Sequence, residues 1–131
     1  RFVTFFALWH WDGWHYRFRW MLAAFVALIL AYATLLLGRS VAVLVLAQVV
    51  FGCATGLIYY SSLFYSMDVG ETKGEHGGIH EAAIGLGICV GPAVGAGALY
   101  LAPGLPHAGA LAVTTLLLAG LAGLVGLRLR Q

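Results

Sequence analysis

Charge is what this sequence has least of. Seven Lys and Arg and five Asp and Glu make up 9% of its 131 residues, against about 25% in an ordinary soluble domain. Hydrophobic residues account for 62%, more than a chain of this length can hide from water. A soluble domain is thereby excluded, and an integral membrane protein is expected. The net charge is only +2, and no basic patch is interleaved with aromatics in a soluble segment, so a nucleic-acid partner is excluded. Cysteine is scarce. Cys53 and Cys89 form no C-x-x-C pair, and each reads as a small core residue inside an apolar run. Also missing are a phosphate loop, a nucleophile elbow and a zinc-protease motif. No catalytic residue, no metal, no cofactor and no enzyme activity is expected. His76 and His80 are four apart beside Glu81, but the remaining ligands of a metal site are not evident. Sustained polar–apolar alternation is absent too, so the apolar runs are not barrel strands.

What is there is a set of long apolar runs. A helix crosses the hydrocarbon with about 20 residues. Four stretches qualify, at approximately 20–37, 41–65, 79–101 and 108–127. The expected fold is all-α and integral to the membrane, with four transmembrane helices in an antiparallel up-down arrangement. Phe2–Trp9 is apolar but shorter, and reads as the tail of a helix. No signal-peptide layout lies near Arg1, and the chain reads as beginning inside a longer protein. Residues 10–19 form an aromatic and basic connector, with Trp11, Trp14 and Tyr16 beside Arg17 and Arg19, a composition suited to the membrane–water interface. Gly38, Arg39 and Ser40 form a minimal turn between the first two spans. Residues 66–78 read as the most polar loop, with Asp68, Glu71 and Glu75. Pro103 and Pro106 end the third span and permit the fourth. Arg17, Arg19, Lys73, Arg128 and Arg130 share one side, whereas Arg39 stands on the other. The positive-inside rule then places loops 10–19 and 66–78 and the C-terminus in the cytoplasm, with the chain in the plasma (inner) membrane.

Small residues recur every four positions in each span: Ala23, Ala27 and Ala31; Gly52 and Gly56; Gly87, Gly91 and Gly95; Ala119 and Gly123, with Ala122 and Gly126 alongside. Such stripes let helix backbones approach where lipid supplies no hydrophobic drive. Pro92 removes a backbone donor within the third span and is expected to bend it. Polar groups at hydrocarbon depth are costly and mark function. Gln48, Tyr59, Tyr60 and Ser62 are candidates for lining a solute cavity, the alternative being interfacial tyrosines and serines bonded back to their own helix. Tyr65 sits at headgroup depth. Glu81 is the acid nearest an apolar span. It is either a proton-coupling carboxylate or an acid favoured by the helix dipole in the first turns.

The segment Gly87-Ile-Cys-Val-Gly91-Pro92-Ala-Val-Gly95-Ala96 resembles the G-x-x-x-G-P-x-x-G-[GA] pattern of major facilitator superfamily transporters, and fits their eleventh span. Gly52 to Ser62, followed by a polar loop, resembles the tenth. Asp12 and Arg17 align with the basic loop between spans eight and nine, although that loop's first arginine and its glycine are absent here. The resemblance implies the end of span eight plus spans nine to twelve, part of a six-helix half. It implies symport, antiport or facilitated movement of a small solute by alternating access, together with the missing N-terminal helices and the bilayer. It also implies that Tyr59, Tyr60 and Ser62 face the cavity while Gly87, Gly91, Pro92 and Gly95 pack and bend their helix. The rival is a self-contained four-span protein, structural or assembling as a small multidrug exporter does. Such exporters depend on a carboxylate deep in the first span, and Trp20–Leu37 has none.

Overall fold

The computed structural model describes residues 2–14, 17–68 and 73–130. Among them the chain is helical, with no strand: α1 (Phe2–His10), a 3-10 turn (Asp12–Trp14), α2 (Phe18–Leu37), α3 (Val41–Asp68), α4 (Lys73–Leu101) and α5 (Ala108–Leu129). Four of these helices are long and apolar enough to cross a membrane. The protein is therefore an all-α integral membrane protein. Each backbone donor and acceptor in hydrocarbon must find its partner within its own segment, and only a helix does that for a single run. The side-chain hydroxyls obey the same constraint. Thr34, Thr55, Thr114 and Thr115 donate to the carbonyls of Leu30, Phe51, Ala110 and Leu111 at 2.8–2.9 Å.

The helices are longer than the apolar runs on which they are built. At 1.5 Å per residue, α3 and α4 reach roughly 42–44 Å, about 12 Å beyond a hydrocarbon core of about 30 Å. The excess carries polar residues. The stretch 66–78, expected as a loop, is helical up to Asp68 and again from Lys73. Gly74, Gly77 and Gly78 favour an ending on propensity alone. An existing helix extends past such residues because each adds a hydrogen bond without a new nucleus. Glu75 in the first turn of α4 also complements the dipole. Likewise α1 runs to His10 and α2 begins at Phe18, which shortens the connector expected over 10–19. Tyr16 and Glu71 lie outside the described residues, as do the side chains of Asp12 and Lys73.

The chain divides into two compact units, Arg1–Tyr65 and Ser66–Gln131. In the first, α2 buries Ala24, Leu28 and Ala31, and α3 buries Ala47, Ala54, Gly56 and Ser61. The stripe expected on α2 is thus one residue off: Ala23 is exposed and Ala27 half-buried, while Ala24 and Leu28 take the covered positions with Ala31. The physical cause is that α2 is apolar all round, so composition does not select a face.

In the second unit α4 packs on α5. Helix α4 continues unbroken through Pro92, and the turn after Leu101 brings the chain back. Leu105 N donates to Ala102 O at 3.1 Å, and Ala108 N to Leu105 O at 3.2 Å. His107, which precedes α5, has φ 60° and ψ 25°. This left-handed conformation disfavours a Cβ by about 1–2 kcal/mol. It closes the run of turns from Pro103 to His107, and Leu111 N donates to His107 O at 2.9 Å. Both cysteines are exposed, against the expectation of core positions. Each lies in an apolar helix, where an outward position needs no polar side chain because lipid, not water, surrounds it.

Candidate functional site

The candidate site is built where α1 and the 3-10 turn meet α3. Gly56 makes the approach possible. A Cβ there would lie 3.0 Å from Thr4 Cβ and 3.2 Å from its Cγ2. One turn further along α3, Tyr59 and Tyr60 set their rings 5.7 and 5.8 Å from the ring of Phe5. The 3-10 turn then folds Trp14 back beneath α1. Its indole Nε1 donates to Leu8 O at 3.2 Å, and its ring meets Tyr60 at 5.4 Å and Phe64 at 5.3 Å, both edge-on. Tyr65 lies at 6.5 Å on the same indole. Trp14 is 1% exposed. Edge-to-face aromatic pairs add about 0.5–1.5 kcal/mol each beyond burial, and Trp14 makes two of them from a buried position.

We expect Gly56→Leu to push α1 away from α3 at a cost of about 2 kcal/mol, the usual range for forcing extra methylenes into a filled site. Hydrogen–deuterium exchange on the amides of residues 4–8 should then quicken. Unchanged protection of those amides would refute the close contact.

The cluster accounts for three of the four cavity candidates. Tyr59, Tyr60 and Ser62 are brought together on α3, all half-buried. Ser62 Oγ donates to Tyr59 O at 3.0 Å, so its hydroxyl is satisfied along the helix. Ser61, 2% exposed, is the buried polar residue among those described. Residue type alone does not separate it from Ser62; burial in the folded first unit does. Gln48 is three turns away, about 17 Å along the axis at 1.5 Å per residue. It is exposed in an open groove with Leu35, Val41, Leu44, Val45 and Val49. Gln48, Gly52, Thr55, Tyr59 and Ser62 nevertheless follow the 4, 3, 4, 3 spacing of one helix face. Along α3, which is apolar from Val41 to Ile58 apart from Gln48 and Thr55, they form a small and polar stripe, a pattern legible in the sequence once the helix is known to be continuous.

In the second unit, Glu81 is exposed, with Oε1 3.7 Å from His80 Nδ1. It lies two turns inside α4. No group of three or more His, Cys, Asp and Glu is placed to hold a metal among the described residues. The glycine–proline segment divides. A Cβ on Gly95 would meet Val113 Cγ2 at 3.5 Å, whereas Gly87 and Gly91 face open space. Pro92 is exposed. A tight approach of α4 to α5 was missed by the stripe: a Cβ on Gly109 would stand 2.9 Å from Gly95 O. Gly109 sits at the start of α5, away from the repeated four-residue pattern that drew attention to Gly123 and Gly126, which are both open. Comparison with protein-family models, with curated proteins and with solved structures finds no match to this chain.

Proposed function

We propose that the chain is part of a secondary transporter of the major facilitator type, moving a small solute across the membrane by alternating access. The observation that carries this reading is the stripe on α3. Gln48, Thr55, Tyr59 and Ser62 share one face of a helix whose other polar groups, Tyr60 and Ser61 onward, are confined to its last turns. Thr55 and Ser62 are satisfied by carbonyls of their own helix, which leaves the amide of Gln48, a group costly at that depth without a polar partner or a solvated path, as the member of the stripe that weighs most. Tyr59, Tyr60 and Ser62 are the residues assigned to solute contact, and Glu81 to proton coupling. The glycine–proline segment of α4 supports the same reading from a second direction. Gly87 and Gly91 offer a smooth, unfilled surface, suited to a further helix of a larger bundle. Orientation follows the positive-inside rule, with Arg128 and Arg130 on the cytoplasmic side.

The test is uptake of labelled sugars, organic anions and drugs into proteoliposomes containing the full-length protein. Gly91→Leu is the decisive variant. No neighbour in the second unit lies within 4 Å of the added Cβ, so α4 and α5 should remain paired. If Gly91 packs against a further helix, transport should fall by about tenfold or more, the effect expected when roughly 1.4 kcal/mol or more of packing is lost at a moving contact. Full transport by Gly91→Leu would refute the packing role, and absence of uptake for every solute class would refute the transport reading.

A further inference from the structure

Glu81 and His80 are neighbours in sequence and opposites in burial. Glu81 is 58% exposed, while the His80 imidazole is 11% exposed, with its Nδ1 buried and 3.7 Å from Glu81 Oε1. The two close the polar start of α4, and residues 82–101 carry no further charge. Ile84, Val94 and Ala98 follow His80 on the same side of the helix, all half-buried, and α5 is the helix that packs on α4. Gly95 meets Val113 and Leu99 meets Gly109, so α5 runs back along α4. That register, carried on, brings Arg128 to the level of His80, and Arg128 is the charged residue of α5. The titratable and charged groups around the ring are therefore Glu81, Arg128 and, one turn earlier on α4, His76 with Glu75.

We propose that His80 carries the proton that drives transport, with Glu81 as its counter-charge. This role rests on the transport reading. A carboxylic acid holds a proton near neutral pH when burial strips it of water, and the exposure of Glu81 works against that. Imidazole titrates near neutral pH without such help. Water reaching the pair past Glu81 gives a proton to a ring nitrogen of His80. The imidazolium then lies against the Glu81 carboxylate, and an anionic pair has become a neutral one. A neutral pair is cheaper to enclose than a lone charge. Proton uptake therefore favours the enclosed form of an alternating-access cycle, and release of the same proton to water restores the anionic pair.

Proteoliposomes of the full-length protein, with the membrane potential clamped at zero, test this with the labelled solute from the sugar, organic-anion and drug panel that they take up. Two readings are compared: exchange of that solute with no gradient, and its accumulation under a gradient of about one pH unit in either direction. One proton per solute sustains a concentration ratio of about tenfold under that gradient. The unaltered protein should approach that ratio. His80→Gln and His80→Asn, which take no proton near neutral pH, should lose the accumulation and keep the exchange. Glu81→Gln should accumulate more than either, and His76→Gln as much as the unaltered protein. Full accumulation by His80→Gln would overturn the proposal. So would loss of exchange in both His80 variants, which would mark a structural role, or an equal loss of accumulation in His76→Gln. An unaltered protein that exchanges solute without accumulating it would overturn the proposal and leave the transport reading standing. No exchange by the unaltered protein would overturn both.

Discussion

Gly109→Leu should separate α4 from α5. A Cβ at that position would lie 2.9 Å from Gly95 O and 3.2 Å from Leu99 Cγ. The leucine can rotate away, but the carbonyl belongs to the backbone of α4 and moves only with the helix. A leucine adds three more carbons beyond the Cβ. Overpacking of this kind costs about 1–3 kcal/mol when side chains can yield, and the upper end or more is expected here because the obstacle is main chain. Lipid offers no hydrophobic penalty against separation, so the dispersion contact between the helices is most of what holds them. Gly123→Leu is the matched control. It meets nothing within 4 Å, and replacing a mid-helix glycine by leucine favours the helix by up to about 1 kcal/mol. Cys89 is exposed on α4 and takes a spin label. With a second label at Thr115→Cys and Cys53 replaced by serine, the inter-label distance should lengthen and broaden in Gly109→Leu and stay narrow in Gly123→Leu. A narrow, unshifted distance in Gly109→Leu would show that the α4–α5 crossing does not depend on that approach.

Trp14→Ala should be the most damaging change in the first unit. The indole is buried and braced by Tyr60, Phe64 and Tyr65, and it satisfies Leu8 O through Nε1. Truncating a buried tryptophan costs about 3–5 kcal/mol in soluble cores, part of it a cavity term that does not need water. Its single hydrogen bond accounts for only about 1 kcal/mol of that. The two contributions can be separated: Trp14→Phe keeps most of the ring packing and loses the donor, so it should cost roughly a third as much as the alanine. Steric-trapping measurements in bicelles, with the tags placed on α1 and α3, read both values. If the phenylalanine and alanine variants lose the same stability, the hydrogen bond and not the packing holds α1 in place.

These two sites show unequal legibility. Trp14 reads from sequence as one of several interfacial aromatics, alongside Trp9, Trp11 and Trp20. Only the 3-10 turn at Asp12–Trp14 distinguishes it, by returning one indole under α1 while Trp9 and Trp11 remain exposed. Gly109 carries no signal at all in a chain with 18 glycines. Its importance comes from the turn at Pro103–His107, which brings the start of α5 against the backbone at Gly95. The glycine–proline segment was conspicuous by its spacing, and within the second unit one of its glycines, Gly95, meets a neighbour. Tyr59, Tyr60 and Ser62 were legible as a polar cluster near one end of an apolar run, because such groups are scarce at that depth. That the rings of Tyr59 and Tyr60 lie on Phe5 was not legible, since it depends on α1 and α3 meeting at Gly56.

The sequence by itself determined that the protein is helical and membrane-embedded, and where its four long helices lie. The physical reason is that this information is local. An apolar run of sufficient length must satisfy its own backbone, and the helix does so without reference to any neighbour. The tertiary structure alone decided which face each helix buries, how far the ends of α3 and α4 extend beyond the apolar runs, and why a Cβ at Gly56 or Gly109 would crowd the facing helix. In a soluble helix, water would have written the buried face into the polar–apolar pattern. Here lipid accepts every apolar face equally, and close packing between particular atoms makes the choice.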